Sequence, residues 1–449
     1  MVSKKGRAPM SEAKAAWHLR GNWTPLHEEE THTELVIEGS IPPELSGVYM
    51  RTGPNPVGDE SPHWFLGDGM VHGIRLEDGK ALWHKNRFIK TPNVTTPDKR
   101  PDNPFDLGHG TGNTHIVQHA GKILCLEEAH WPWRIDHELN TIGAENFGGK
   151  LTCSMTAHPK ICPITGELIA FSYFSFEQPY LNYIRIGADG EVKQIEGIEL
   201  PNMVMMHDFN ITEHYTIFMD LPLVLDLELL STGVPFSFKK DAGARLGVMP
   251  RGGTASDVRW FEIEPCYVFH PVNAFDKDGI ITLYVSRLES AFNGGSDEYG
   301  SVGRLYRWQI NLNTGAVTEE KIDDRGADFG RTDDRLVGLD SRYGYLMSLG
   351  GEGNSEEPIY GDKLYKYDLH NGTCDEHHLG NNVRGAEPVF AAGGPGEDEG
   401  WILNLNHDET TGKSKMIIID AQNFTAPPIA TIHLPTRVPY GAHGNWFAD

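Results

Sequence analysis

Cys162-Pro163-Ile164-Thr165-Gly166-Glu167 runs straight into the apolar segment Glu167 to Phe174, and Ile186-Gly187-Ala188-Asp189-Gly190-Glu191 follows a short way on. An apolar or alternating run, a Gly-containing turn and then another run is the pattern that decides the fold class. Glycine at these positions supplies the positive φ that hairpin turns need. The pattern recurs at Arg75-Leu76-Glu77-Asp78-Gly79-Lys80, at Asn311-Leu312-Asn313-Thr314-Gly315 and at Asp368-Leu369-His370-Asn371-Gly372. Strands are expected at Lys122 to Leu126, Glu167 to Phe174, Ile280 to Ser286, Leu364 to Tyr367 and Met416 to Ile419. Helix signals are few, confined to Ser11 to His18 and part of Leu229 to Ala244. Many hairpins in series without helical alternation predict an all-β protein. Over 449 residues a β-propeller suits them better than one sandwich, because radial blades hold many short strands without long exposed edges.

Composition narrows the function. No run of Gly/Ser, Pro or like charge is long enough to be a linker, so residues 1–449 are expected to form one domain. Lys+Arg of 39 against Asp+Glu of 63 gives a formal charge of −24. With no basic stripe, nucleic acid is excluded as a partner, and tight adhesion to anionic lipid is disfavoured. The cysteines Cys125, Cys153, Cys162, Cys266 and Cys374 are odd in number and lack Cys-x-x-Cys spacing. They read as reduced thiols of a cytoplasmic protein rather than as a disulfide framework or a cysteine-held metal. Met1 to Arg20 is polar and lacks the apolar core of a signal peptide. No apolar stretch is long enough to span a bilayer, since Leu221 to Leu230 is interrupted by Pro222, Asp226 and Glu228. Transient peripheral contact with a membrane is left open, and no obligate protein partner is inferred.

Histidine carries the strongest chemical signal. His158 lies in Thr156-Ala157-His158-Pro159-Lys160, His207 in Met206-His207-Asp208-Phe209, His270 in Phe269-His270-Pro271-Val272-Asn273-Ala274 and His443 in Gly441-Ala442-His443-Gly444. Each follows or punctuates a strand-like run, and the glycines around His443 would let its backbone approach a crowded centre. Brought to one point, these imidazoles would offer a transition metal nitrogen ligands with no carboxylate among them. Spacing alone does not show that they meet. Among the 21 histidines a lone polar-loop imidazole is ordinarily just hydrogen-bonded. His32, His119, His214, His377, His378 and His407 are read so, and His109 and His115 are assigned to the Gly-rich turn Gly108 to Gly112 rather than to a metal pair.

These phrases resemble those of the carotenoid cleavage oxygenase family. The resemblance runs almost end to end, from Gly21-Asn22-Trp23-Thr24-Pro25 to Trp446-Phe447. It includes Gly47 to Pro56, His63 to Gly73, Asp220-Leu221-Pro222 and Val258-Arg259-Trp260-Phe261. It implies a seven-bladed β-propeller, with a few short helices and loops capping an iron centre on the axis. It also implies that His158, His207, His270 and His443 hold one Fe(II) per chain. The reaction implied is cleavage of a conjugated C=C bond by O2, giving two carbonyl products. Three acids are implied to hold the second nitrogens of His207, His270 and His443: Glu128 in Leu126-Glu127-Glu128-Ala129, Asp328 in Asp328-Phe329-Gly330-Arg331, and Glu387 in Ala386-Glu387-Pro388. His158 is left without a carboxylate. Asp328 departs from the family's usual Glu, and one methylene less calls for a backbone shift or a bridging water. Thr114, in Gly112-Asn113-Thr114-His115, matches a threonine whose methyl narrows access to one iron position; read by itself it is an ordinary strand threonine.

An apolar polyene, a carotenoid or apocarotenoid, is the expected substrate. Family members that cleave hydroxylated stilbenes carry a Lys where this chain has Glu127 and a Tyr where it has Phe88. Cleavage of a stilbene or phenylpropenyl alkene is therefore the second reading, and a non-catalytic propeller binding an apolar ligand is the third. Leu221 to Phe238 could frame an apolar tunnel mouth or simply pack between blades.

Overall fold

Hairpins form where the turns were read. In the computed structural model, which describes residues 16–58, 60–97, 103, 106–292, 300–350 and 359–449, the five turn glycines Gly79, Gly166, Gly190, Gly315 and Gly372 all have φ between 69° and 79°. Strands follow at Lys122–Leu126, Leu168–Ser172, Ile280–Leu288, Ile359–Asp368 and Lys413–Asp420.

The strands group into the seven blades of a propeller. The first holds Thr31–His32, Lys80–Phe88, Gly69–Glu77 and Gly47–Pro54, with the C-terminal strand Gly444–Ala448 added at its inner edge. Three four-stranded sheets come next, beginning at His115–His119, Lys160–Ile161 and Asn210–Ile211. The fifth and sixth blades are continuous in hydrogen bonding from Tyr267–Lys277 to Thr373–His378. The 15-residue strand Val317–Arg331 joins them: its first part pairs with Arg304–Asn311, its last with Tyr343–Gly350. The last blade contains Val389–Ala392, Gly400–Asp408, Lys413–Asp420 and Ala430–Leu434, and the N-terminal strand Val36–Gly39 covers its outer edge. Strands from opposite ends of the chain thus latch neighbouring blades, leaving the ring no long open edge.

Helix is scarcer than the sequence suggested. The one α-helix among the described residues is Pro92–Thr95. Ser11 to Ala15 lie outside those residues, and Trp17–Leu19 is a 3₁₀ turn. Leu229 to Ala244 forms no α-helix; its helical residues are 3₁₀ turns near the two ends, the second at Lys240–Ala242. A 3₁₀ turn at Leu227–Thr232 ends at Gly233 with φ of 89°, and Pro235, which has no N–H to continue a helix, leads into the strand Phe236–Phe238. All the cysteines are free thiols. Among the described residues no helix is long and apolar enough to cross a membrane.

Candidate metal centre

The inner strand of every blade delivers one side chain of interest to the axis. His443 precedes Gly444–Ala448, Thr114 precedes His115–His119, His158 precedes Lys160–Ile161 and His207 precedes Asn210–Ile211. His270 lies within Tyr267–Lys277, Asp328 within Val317–Arg331, and Glu387 just before Val389–Ala392. The histidines converge: one ring nitrogen from each of His158, His207, His270 and His443 lies within 4.8 Å of the other three, and all four residues are buried. Nε2 of His207 is 3.1 Å from Nε2 of His158 and 3.2 Å from that of His270.

Local irregularities aim these side chains. Proline cannot donate to a ladder, and at Pro271 the pairing with Ile280–Leu288 slips on both sides, so His270 sits on a bulge. A second slip lies between Asp328 and Arg331, where Phe329 has a φ of 57°. This left-handed residue is strained and is retained where the bulge turns Asp328 inward. Around His443 the constraint is space. A Cβ on Gly444 would lie 2.8 Å from the Met50 carbonyl oxygen and 2.9 Å from the Tyr49 hydroxyl, and one on Gly441 would lie 3.1 Å from the Arg51 guanidinium. Gly444→Ala is therefore expected to displace His443. We expect about 1–3 kcal/mol loss of stability in urea titration, together with reduced metal content by elemental analysis; unchanged values for both would show that the close packing is not what sets His443.

Carboxylates hold three of the outer nitrogens. His270 Nδ1 donates to Asp328 Oδ1 at 3.0 Å, and His443 Nδ1 donates to Glu387 Oε1 at 2.9 Å. His207 Nδ1 is in contact with Glu128, whose other oxygen accepts from the Tyr173 hydroxyl. The shorter Asp328 thus reaches its histidine directly, and no bridging water is needed. Glu387 Oε2 also accepts from the Gly444 N–H at 3.0 Å and pairs with Arg331 at 3.3 Å. His158 is a partial correction. Asp208 places Oδ2 at 3.6 Å from its Nδ1, beyond a hydrogen bond, while Lys160 neutralises the same carboxylate at 2.8 Å.

Protonation states follow from these surroundings. Burial, then the imidazoles of His207, His443 and His270, holds His158 well below the usual histidine range. Burial, then His270, His207 and Arg331, does the same for His443. Burial opposes a charge on His207 as well, but the Glu128 carboxylate outweighs it and raises that pKa. With the Nδ1 hydrogens of His270 and His443 donated to carboxylates and Nδ1 of His207 turned to Glu128, the Nε2 lone pairs of all three face inward. Lone pairs crowded together in this way repel unless a cation lies among them. The donor set therefore fits a divalent transition metal.

Beside the histidines lies a cavity of about 510 Å³, with Phe65, Phe174, Val234, Phe236, Phe269 and Phe329 on its walls. Thr114 also lines it, its hydroxyl donated to Asn113 Oδ1 at 2.9 Å. The Leu221 to Phe238 segment packs in the core and also reaches the cavity wall. Leu221, Leu223, Val234 and Phe236 belong to a hydrophobic core cluster, Val234 and Phe236 also reach the cavity, and Leu227 and Leu230 are exposed at 66% and 54%. Phe88 is buried but is not among the residues lining the cavity, so the substrate argument loses that position and keeps Glu127. A second cavity, about 330 Å³, shares His270 and His443 and is lined by charged groups including Lys160, Asp208 and Arg331. His115 faces it; its Nδ1 bonds to the Ala157 carbonyl at 2.8 Å and its ring packs 5.1 Å from that of His443, outside the group of four. His109 is paired with Asp106 at 3.0 Å, as a turn residue.

Sequence reading missed Asp208. Its only signal was adjacency to His207, since neighbours on an extended chain point to opposite sides and Asp208 turns toward Lys160.

Blades, axial histidines and cavity together define a propeller whose four-histidine cluster is compatible with a metal and lies beside an apolar cavity. The chain belongs to the carotenoid oxygenase family: a family profile described as retinal pigment epithelial membrane protein matches residues 23–448. A carotenoid cleavage oxygenase of Mycobacterium tuberculosis is 36% identical, over 96% of this chain and 97% of that protein. Two crystal structures superpose closely, each 28% identical. The lignostilbene dioxygenase of Pseudomonas brassicacearum has a TM-score of 0.87, covering 96% of this chain and 98% of that one. The cobalt-substituted apocarotenoid oxygenase of Synechocystis has a TM-score of 0.84, covering 95% and 97%.

Proposed function

We propose that this chain is a non-haem Fe(II) dioxygenase that cleaves a conjugated C=C bond of a carotenoid or apocarotenoid. The observation that carries the reading is the convergence of four buried imidazoles beside an apolar cavity. His158, His207, His270 and His443 would hold one iron per chain as neutral ligands, leaving its positive charge uncancelled. Iron bound there would activate O2, so that the C=C bond and the O–O bond are broken and each carbon takes one oxygen atom as a carbonyl.

The protein's own groups do the positioning. Glu128, Asp328 and Glu387 fix the tautomers of His207, His270 and His443 and raise their basicity. Because Asn113 takes the Thr114 hydroxyl, we assign the Thr114 methyl to restricting access beside the histidines. The aromatic walls align an extended polyene and exclude water. We read the whole chain as one domain, because strands from both ends close the ring, and as a cytoplasmic protein. Leu227 and Leu230, exposed beside the segment that lines the cavity, would let it take a polyene from a membrane or micelle in transient contact.

Similarity to a lignostilbene dioxygenase supports stilbene cleavage as the second reading. Glu127 weighs against it: this position on the cavity wall carries a carboxylate, paired with His130, instead of a lysine. The test is aerobic incubation of iron-loaded protein with carotenoids, apocarotenals and hydroxystilbenes, with products read by mass spectrometry. Paired carbonyl fragments from the polyenes are expected. Cleavage of stilbenes alone would overturn the substrate, and no cleavage of any would overturn the activity.

A further inference from the structure

Most polar groups on the cavity wall are already committed to the protein. The Asn113 amide donates to the carbonyls of Phe65 and Gly67 at 2.9 and 2.6 Å, the Tyr360 hydroxyl donates to the Gly441 carbonyl at 3.0 Å, and Glu128 is held between Tyr173 and His207. Glu127 and His130 are different. Both line the cavity, and the Glu127 carboxylate contacts His130 Nδ1 while accepting from the Ala129 N–H at 3.0 Å. The ring is thereby fixed with Nε2 left over, and that atom has no partner among the described residues.

The pair is built in, not incidental. A Cβ on Gly110 would lie 2.6 Å from His130 Cβ and 2.9 Å from Glu127 Oε1, so the backbone there passes directly against it. Hydrogen bonds from Trp131 N–H to the Leu107 carbonyl at 2.8 Å and from Met155 N–H to the His130 carbonyl at 3.2 Å pin the segment on both sides. Burial opposes charge on both partners, yet their mutual attraction prevails, lowering the Glu127 pKa and raising that of His130, with Asp106 adding to the latter. A charged pair on the wall of a site meant only for hydrocarbon would cost desolvation with no return.

We propose that the Glu127–His130 pair is the polar end of the substrate cavity and selects polyenes that carry an oxygen function, a hydroxyl or a carbonyl, at one terminus. This rests on reading the cavity as the substrate site. Nε2 of His130 forms the hydrogen bond to that oxygen, and Glu127 orients the ring. A polyene hydrocarbon leaves that Nε2 without a hydrogen bond, which discriminates against it.

Three polyenes of equal length separate the cases: a hydrocarbon, its terminal alcohol and its terminal aldehyde, each assayed with iron-loaded wild type, His130→Phe and Glu127→Gln. The wild type should favour one or both oxygenated substrates in kcat/KM by at least about tenfold, the worth of one charge-assisted hydrogen bond. His130→Phe should abolish most of that preference, chiefly through KM. The nearly isosteric Glu127→Gln, which preserves packing, should lower it by a smaller factor. Alcohol and aldehyde arms show which oxygen is recognised. A wild-type preference for the hydrocarbon, or an undiminished preference in both variants, overturns the proposal. If wild type cleaves none of the three, the reading of the cavity falls first and the selectivity falls with it.

Discussion

His270→Ala protein purified with ferrous iron should contain less than about a tenth of an equivalent of metal and show no measurable polyene cleavage. The residue is buried within the converging group and sits on the bulge that Pro271 imposes. Its loss leaves the ligand set open on the side facing Phe329, whose ring stacks 4.9 Å away, and it frees Asp328 Oδ1 from its imidazole partner. The fold should survive, since Asp328 keeps the Phe329 N–H at 2.8 Å. Elemental analysis beside a urea titration checks this. Near-stoichiometric iron with full activity would show that His270 is not a ligand.

Glu387→Ala should be costly in a different way. One carboxylate serves His443, the Gly444 N–H and the Arg331 guanidinium. Truncation removes one of the two carboxylates paired with Arg331, which retains Asp334 and Asn445, and orphans a buried N–H. Each buried group left unsatisfied costs about 1–3 kcal/mol, and loss of the group that orients a ligand costs about 10–100-fold in metal affinity. Glu387→Gln, which keeps the shape and an acceptor oxygen, should lose less of both. Urea midpoints and iron retention against a chelator measure the two effects. Equal behaviour of the alanine and glutamine variants would contradict the role given to the side chain's shape and hydrogen bonds.

What could be read in the sequence follows from the range of the forces involved. Turn glycines such as Gly79 and Gly190 declare themselves because positive φ is a local demand. The histidines were legible because each follows or punctuates a strand-like run, with a proline after His158 and His270 and glycines around His443. Whether they met was not legible, since that depends on how the blades close into a ring. The bulges at Pro271 and Phe329 are pairing slips between distant strands, and they explain how Asp328 reaches His270 despite its short side chain. In Leu229 to Ala244 helix is confined to 3₁₀ turns near the ends, because Gly233 and Pro235 interrupt the segment between them. Asp208 and the Glu127–His130 pair gain their meaning only from three-dimensional neighbours: Lys160 for the first, and the cavity for the second.

The central claim is that four histidines from four blades hold one iron without a carboxylate ligand. X-ray absorption at the iron edge of the loaded wild-type protein tests it most directly. We predict one iron per chain with a first shell that includes four imidazole nitrogens. A shell with fewer imidazoles, or with carboxylate from Glu128, Asp328 or Glu387 bound to iron in their place, would contradict it.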